Sequence, residues 1–374
     1  MKIAMAGIRG IPALYSGFET AATEIGVRLV KHGHEVVVYC RKGYGNEEEG
    51  SYQGIKKIYL PRLNYKFIDT LTHTFFTFLH LIGNRVDVLL IFNPANGPLC
   101  IIPRLLGIPF AINVDGLEWK RTKWPKIGQW YFYFAAWFCT KIASIIIADS
   151  QGIQNFYKKT FKRESHFIAY GADVKTSKSP ERLQKYNLKK DNYFLVITRL
   201  DAENNTDLII RAFRNVRTDK QLVIVGDMNY KSNYVSQLKN NGADHRVVFL
   251  GGIYNQDDLN EIICNCFAYI HGHMVGGTNP VLLQALGCGA CVLFVDVIFN
   301  SSIVGNAGVP FQNNIDDLQT KLQNLINEQN RVHECKKLAP TCLTEQYTWD
   351  YVTDQYEKLC TTLTTPSIKN KCTR

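Results

Sequence analysis

The sequence predicts an α/β chain of two doubly wound parallel-sheet domains, and three observations predict it. The chain has 374 residues, more than one ordinary core accommodates, so two domains are the default. Short runs of Val, Ile and Leu alternate with helix-period patterns, as in parallel strands covered on both faces. That alternation stops in a polar, basic stretch, KTSKSPERLQKYNLKKDN, and then starts again.

Taken in order, KIAMAG is an apolar strand that runs into a glycine loop. Phe18, Ala21, Ala22, Ile25 and Leu29 then mark one helix face, closed by Gly33. EVVVYC, VDVLLIF, PFAINV and SIIIADS read as buried strands, with an aromatic-rich helix pattern at 68–82. Beyond the polar stretch, YFLVITRL, QLVIVGD, RVVFLGG, FAYIHGH and CVLFVD are the strands. DLIIRAFRNV, YVSQLKNNG, LNEIICNC and NPVLLQALG are the helices between them, and WDYVTDQYEKLCTTL is a final helix. The expected domains are 1–172 and 173–345, followed by a helix and tail at 346–374.

Hydrophobic content of 46% and charged content of 20% are globular values. A net charge of +10 suits an anionic partner: a phosphorylated small molecule, an acidic membrane surface or nucleic acid. No nucleic-acid module is recognisable, so that partner is not expected. The N-terminus lacks an apolar secretory core, and the 11 cysteines are odd in number and irregularly spaced. Reduced thiols and a cytoplasmic location are expected. Cys288 and Cys291 form C-x-x-C after a helix end without redox context, and read as structural. Cys264, Cys266, His271 and His273 are spread along a strand, too far for one tetrahedral ion, so no metal is expected. The longest apolar stretch, 127–147, is interrupted by Gln129 and Lys141 and falls short of a membrane span.

Four glycine-rich strand ends carry the chemistry. In GIRGIPALYSGFET, Gly7 and Gly10 lack a third glycine, and strand two ends at Tyr39 and Cys40 without an acid. That is a poor dinucleotide fingerprint. Ser16 and Gly17, just before a helix, instead suit close backbone approach to a phosphate, or else form a plain turn. In TRLDAENN, Arg199 closes a strand ahead of Glu203, Asn204 and Asn205. A guanidinium there can neutralise a pyrophosphate, or is a surface arginine beside a capping loop. In RVVFLGG, Gly251 and Gly252 leave backbone groups for a flat base, a weak signal alone. In HGHMVGGTNP, Gly276, Gly277, Thr278 and Asn279 open a helix whose N–H groups suit a negative ligand.

Together these stretches, with VDGLEWKRTKW, AYGADV and the W-x-x-V-x-x-x-Y tail, resemble a GT-B glycosyltransferase. More closely, the chain is similar to the bacterial rhamnosyltransferase branch of glycosyltransferase family 4. The resemblance spans nearly the whole chain in order. It implies two Rossmann-like domains facing across a cleft, with the tail helix returning to the first. It implies a nucleotide-sugar donor, L-rhamnose on dTDP or UDP, held mostly by the second domain, and no metal or other cofactor. The acceptor faces the first domain. Carried over, Gly17 lies against the donor diphosphate, and Arg199, with Arg9, neutralises it. Glu203, Asn204, Gly226 and His271 belong to the donor side. Phe249, Gly251 and Ile253 hold the base by main chain, and Gly276, Gly277, Thr278 and Asn279 present N–H groups. Asp115 occupies the place where many relatives put an active-site histidine, so Asp115 and Arg199 are the expected catalytic pair.

Two departures follow. The broad family's Glu-x7-Glu positions are Gly276 and Gln284, and the lysine that often follows Glu203 is Asn204. Gln284 can still accept a ribose hydroxyl through its carbonyl. Retaining transfer in this fold does not require a proton-relay pair, because cation and helix N–H groups stabilise the leaving diphosphate. LEWKRTKWPKIGQWYFYF interleaves Trp119, Trp124, Trp130 and Tyr131 with Lys120, Arg121, Lys123 and Lys126. With Glu118 this forms an expected acceptor side, suited to a lipid-linked saccharide at an anionic interface, or a core helix with solvated ends. The stretch at 68–83 is a second candidate for membrane contact. The alternatives are another donor, a nucleotide-sugar epimerase, and a non-catalytic binding homologue.

Overall fold

The computed structural model describes residues 1–14, 17–65, 68–121, 124–227, 234, 237–238, 244–274 and 277–365. The chain divides into one unit of residues 1–171 with 346–374 and another of residues 172–345.

In chain order, the first unit begins β1 (Lys2–Ala6), α1 (Gly17–Lys31), β2 (Glu35–Arg41), β3 (Ser51–Tyr52), β4 (Ile55–Leu60) and α2 (Asp69–Gly83). It continues β5 (Val88–Phe92), α3 (Ile101–Leu105), β6 (Phe110–Asn113), α4 (Lys126–Ile142), β7 (Ile145–Ala148), α5 (Gln151–Phe161) and β8 (His166–Phe167). The sheet order is β3-β4-β2-β1-β5-β6-β7-β8, parallel except for β3. The central strands are buried along nearly their whole length, which is why they read as unbroken apolar runs.

The second unit holds β9 (Tyr193–Ile197), α6 (Thr206–Arg214), β10 (Gln221–Val225), β11 (Val247–Gly251), α7 (Gln256–Cys264) and β12 (Ala268–His271). Then come α8 (Pro280–Gly287), β13 (Val292–Val295), α9 (Ile298–Val304), β14 (Gly308–Phe311), α10 (Ile315–Asn327) and α11 (Gln329–Leu338). The sheet order β11-β10-β9-β12-β13-β14 is parallel throughout, and its direction of winding reverses between β9 and β12. Most of the helix expected in YVSQLKNNG lies outside the described residues.

The last helix, α12 (Trp349–Thr364), belongs to the first unit and packs on α1. Arg28 bonds Asp350 at 2.8 Å, and Glu357 meets both His32 and His34 at 2.7 Å. Inside, the Asn113 amide donates to the Tyr356 hydroxyl at 2.9 Å. Gly171 is obligatory here, because a Cβ would lie 2.8 Å from the Trp349 nitrogen.

The apolar stretch at 127–147 divides between α4 and β7. Among the described residues no helix is long and apolar enough to cross a membrane. Ten cysteines of the described residues are free thiols; Cys288 and Cys291 are buried.

Candidate functional site

In the second unit, ligands are expected beyond the carboxyl ends of β9 and β12, where the winding reverses. Arg199 stands two residues past β9, half-exposed, with its Nε 4.0 Å from an Asp201 oxygen. The loop behind it is tightly held. Asn204 donates its amide to the Arg199 carbonyl at 2.7 Å, and Asn205, at φ +59°, donates to the Gly272 carbonyl at 3.0 Å. Glu203 lies in the same short turn, Ala202–Asn204. Asn204 is thus buried, and its side chain shapes the arginine loop rather than facing outward.

Three glycines let this end of the sheet close up. A Cβ at Gly226 would lie 2.3 Å from the Thr198 carbonyl oxygen, and one at Gly272 would lie 2.5 Å from that of Asn204. Gly251 ends β11 at φ +73°, and its carbonyl accepts from the Gly226 N–H at 2.9 Å. Phe249 packs its ring on the core, and Ile253 is buried, so their main chain is what they can offer.

At the start of α8 the donors are fewer than the sequence suggests. Pro280 has no N–H, and Asn279 is the N-cap, its side chain accepting from the Val281 N–H at 3.0 Å. An anion at this end would meet the loop at Gly277 and Thr278 and the positive helix end. Gly276 lies outside the described residues. Gln284 is half-buried on α8, donating its amide to Asn260 at 2.9 Å and to Gln256 at 3.2 Å, both on α7. That orientation leaves carbonyl rather than amide chemistry for a ligand.

His271, expected on the donor side, is 0% exposed, hydrogen-bonded to the Tyr269 hydroxyl at 3.1 Å and stacked on His273 at 4.4 Å. Burial lowers its pKa to about 3, so the ring is neutral.

In the first unit, Gly7 ends β1 at φ +85°, where a Cβ would lie 2.2 Å from the Phe92 carbonyl. Arg9 gives its N–H to Glu19 at 3.0 Å, a buried carboxylate in the first turn of α1. Gly17 is the first residue of that helix, and Ser16 lies outside the described residues. Asp115, two residues past β6, takes φ +47°, and its N–H bonds the Asn113 side chain at 3.0 Å. A non-glycine residue there is held by its surroundings, as functional residues often are.

The expected acceptor side divides. Arg121 is buried and pairs with Glu118 at 2.6 Å, and Glu118 also accepts from the Trp124 indole at 3.0 Å. Arg121 is therefore a structural cation, not a surface one. Trp119 packs on Tyr133, Phe156 and Phe161, so it too belongs to the interior. Lys120 is exposed, and Lys123 lies outside the described residues. The exposed apolar stripe is on α4 instead: Ile127, Trp130 and Trp137, with half-buried Phe134 between the two indoles and Lys141 over the Trp137 ring at 5.7 Å. On α2, Phe75, Leu79 and Ile82 are exposed at matching helical spacing, and both helices pack on the segment Pro94–Cys100.

Sequence reasoning missed Asp149 and Glu19, and named Asn205 without the contact it makes. Asp149 was the most legible, as a lone carboxylate closing the apolar strand IIIA.

Known proteins resemble both units. Residues 178–341 match the family Glycosyl transferases group 1, and residues 100–173 match a domain of unknown function, DUF1972. The chain is 28% identical over 159 residues to N-acetylgalactosamine-N,N'-diacetylbacillosaminyl-diphospho-undecaprenol 4-alpha-N-acetylgalactosaminyltransferase of Campylobacter jejuni, covering 41% of this chain and 42% of that one. It is 24% identical over 180 residues to O-antigen chain mannosyltransferase B of Escherichia coli, covering 46% of each. The chain thus spans less than half the length of these curated relatives. HepE of Anabaena, solved with UDP and glucose, superposes with a TM-score of 0.77 at 14% identity, over 97% of this chain and 100% of that one. At that identity the likeness shows the fold. The chain therefore has a GT-B fold of two Rossmann-like domains, and its residues 178–341 are similar to glycosyl transferases group 1.

Proposed function

We propose that the protein is a glycosyltransferase of polysaccharide or glycan assembly, taking its sugar from a nucleotide diphosphate donor. The observation that supports it is the strand-end cluster of the second unit. One half-exposed arginine, a tightly closed glycine turn at Gly226 and Gly251, and a glycine-led helix start all lie beyond the carboxyl ends of this sheet's strands. A diphosphate needs a cation and backbone donors, and a base needs free main chain; this cluster supplies each.

In this reading Arg199, with the positive end of α8, stabilises the leaving diphosphate, and Gly277 and Thr278 add N–H donors. Gln284 takes a ribose hydroxyl through its carbonyl, its amide being held by Asn260 and Gln256. Gly251 and Ile253 offer main chain to the base. In the first unit, Asp115 is proposed as a contact for a sugar hydroxyl of the substrate. No metal is required, because the cation and the helix end carry the charge. Transfer is retaining, and the donor sugar is L-rhamnose, a reading supported by the sequence resemblance alone. The named relatives transfer N-acetylgalactosamine and mannose. A saccharide carried on a polyprenyl diphosphate is the proposed acceptor, with the α4 stripe resting on the cytoplasmic membrane face.

Thermal shift against dTDP-L-rhamnose, beside UDP-, GDP- and dTDP-glucose, tests the donor. A ligand at a hundredfold excess over its Kd adds about 2.7 kcal/mol, which a melt resolves. Stabilisation by another donor moves the sugar. No shift with any, in a folded sample, overturns the transferase reading.

A further inference from the structure

β6 and β7 are parallel neighbours in the first unit, with Ala111 opposite Ile145 and Asn113 opposite Ile147. The ladder runs on past β6, since the Val114 N–H donates to the Ile147 carbonyl at 3.0 Å. Carried two residues beyond the last pair, the same register sets Asp115 opposite Asp149. Both side chains thus leave the carboxyl ends of adjacent strands, the edge where doubly wound sheets bind ligands. Asp149 is 0% exposed, whereas Asp115 is half-buried and reaches the surface from a left-handed backbone at φ +47°. The charge of Asp115 bears directly on the Asp149 carboxyl. Two ionised carboxylates so placed repel each other, and one proton held between them relieves that repulsion.

We propose that Asp149 is a positioning residue whose buried carboxyl shares one proton with Asp115 and so aims the Asp115 carboxyl at a sugar hydroxyl of the substrate. This rests on the glycosyltransferase reading above. The pair carries one negative charge and several acceptor lone pairs, so it accepts hydrogen bonds from a neutral polyol and repels phosphate. It is therefore a sugar contact and not a diphosphate contact, in chemical contrast to Arg199. The frame is stiff. Asn113 fixes the Asp115 N–H on one side and the Tyr356 hydroxyl on the other. Burial, then the charge of Asp115, pushes the Asp149 carboxyl well above its ordinary range. Tyr170 after β8 and Tyr356 on α12 lie near the pair.

The sign of the linkage gives a test that needs no activity. A carboxyl that keeps its proton in the fold stabilises the fold below the unfolded pKa and loses that contribution as pH rises. Asp149→Asn keeps the shape and a donor toward Asp115 but has no proton to lose. Melts of wild type and Asp149→Asn between about pH 4 and pH 8 should show the variant gaining on wild type as pH rises. A pH-independent gap overturns the shared proton. Should the variant fail to fold, wild type labelled with ¹³C-aspartate must show a protonated carboxyl at neutral pH, and its absence overturns the proposal. In turnover, Asp149→Asn should shift the pH profile and lower kcat at least tenfold while leaving KM for the nucleotide sugar within about twofold. A raised donor KM at unchanged kcat overturns the sugar-hydroxyl role. Absence of transfer by folded wild type overturns the proposed function and with it that role, and the melts then decide the shared proton separately.

Discussion

The side-chain amide of Asn205 donates to the carbonyl of Gly272 at 3.0 Å, joining the loop after β9 to the loop after β12. These are the two loops at the reversal of the second sheet, so one buried bond sets the spacing of the proposed donor site. Asn205 also sits at φ +59°, where asparagine is tolerated and β-branched residues are not.

Asn205→Ala should therefore cost about 1–3 kcal/mol, from an orphaned carbonyl together with a strained backbone. Asn205→Gly relieves the backbone and should cost less, while losing the same bond. Both should weaken nucleotide-sugar binding in proportion to the lost bond. Equal melting temperatures for wild type and both variants would show that the bond does not hold the loops.

Gly7→Ala should be among the most damaging single-methyl changes in the first unit. The new Cβ would meet the Phe92 carbonyl at 2.2 Å, at φ +85°. With β1 and β5 fixed by parallel pairing, neither partner can retreat, and a loss above about 3 kcal/mol is expected. Soluble expression with a melting temperature near wild type would contradict this.

The fold was legible because both sheets are covered on two faces, and buried parallel strands leave unbroken runs such as VLLIF and YFLVI. The site was legible at Arg199, Gly226 and Gly251, where strand ends and glycines announce themselves locally. Asn205 was not, since its partner lies 67 residues away. Arg121 read as a surface cation because its neighbours are basic. Yet Glu118, three residues earlier, was a partner in plain sight, and the pair is buried. The α8 start read as rich in N–H donors, but Asn279 turns its side chain inward to cap Val281. Local pattern reports which groups are present; long-range contact decides which of them a ligand meets.

Two histidines should make the fold acid-sensitive. Burial lowers His271 to about 3; burial, with the charge of Arg41, lowers His73 to about 4. Both are neutral when folded, and their contribution is present above the unfolded pKa and lost as pH falls. Below about pH 6.5 each should cost about 1 kcal/mol per pH unit until its folded pKa is reached. His73→Gln or His271→Gln should flatten the corresponding acid slope in urea unfolding, and an unaltered slope would refute the assignment.

Arg199→Ala removes the proposed diphosphate cation and should weaken UDP and nucleotide-sugar binding by roughly tenfold to a hundredfold, with Arg199→Lys intermediate. Gln284→Glu restores a carboxylate toward the ribose and should lower the donor KM by about tenfold, its neighbours Asn260 and Gln256 being able to turn their amides toward it. An unchanged KM in Gln284→Glu would count against a ribose contact at this position, and unaltered UDP affinity in Arg199→Ala would remove the arginine from the site.

The stripe on α4 has a physical argument of its own. Trp130 is 67% exposed and Ile127 78%, at i and i+3 on one helix face. Trp137 continues that face with Lys141 beside it, and α2 adds Phe75, Leu79 and Ile82. Large apolar patches are uncommon on a solvated surface, and indole beside ammonium suits the headgroup layer of an anionic bilayer. Replacing Ile127 and Trp130 together by alanine removes about 3 kcal/mol or more of buried apolar contact, and sedimentation with anionic phospholipid vesicles should fall at least tenfold. Added salt should weaken wild-type binding through Lys126 and Lys141 without abolishing it, because the apolar share is unscreened. If the double variant sediments with vesicles as wild type does, the stripe is not what meets the membrane.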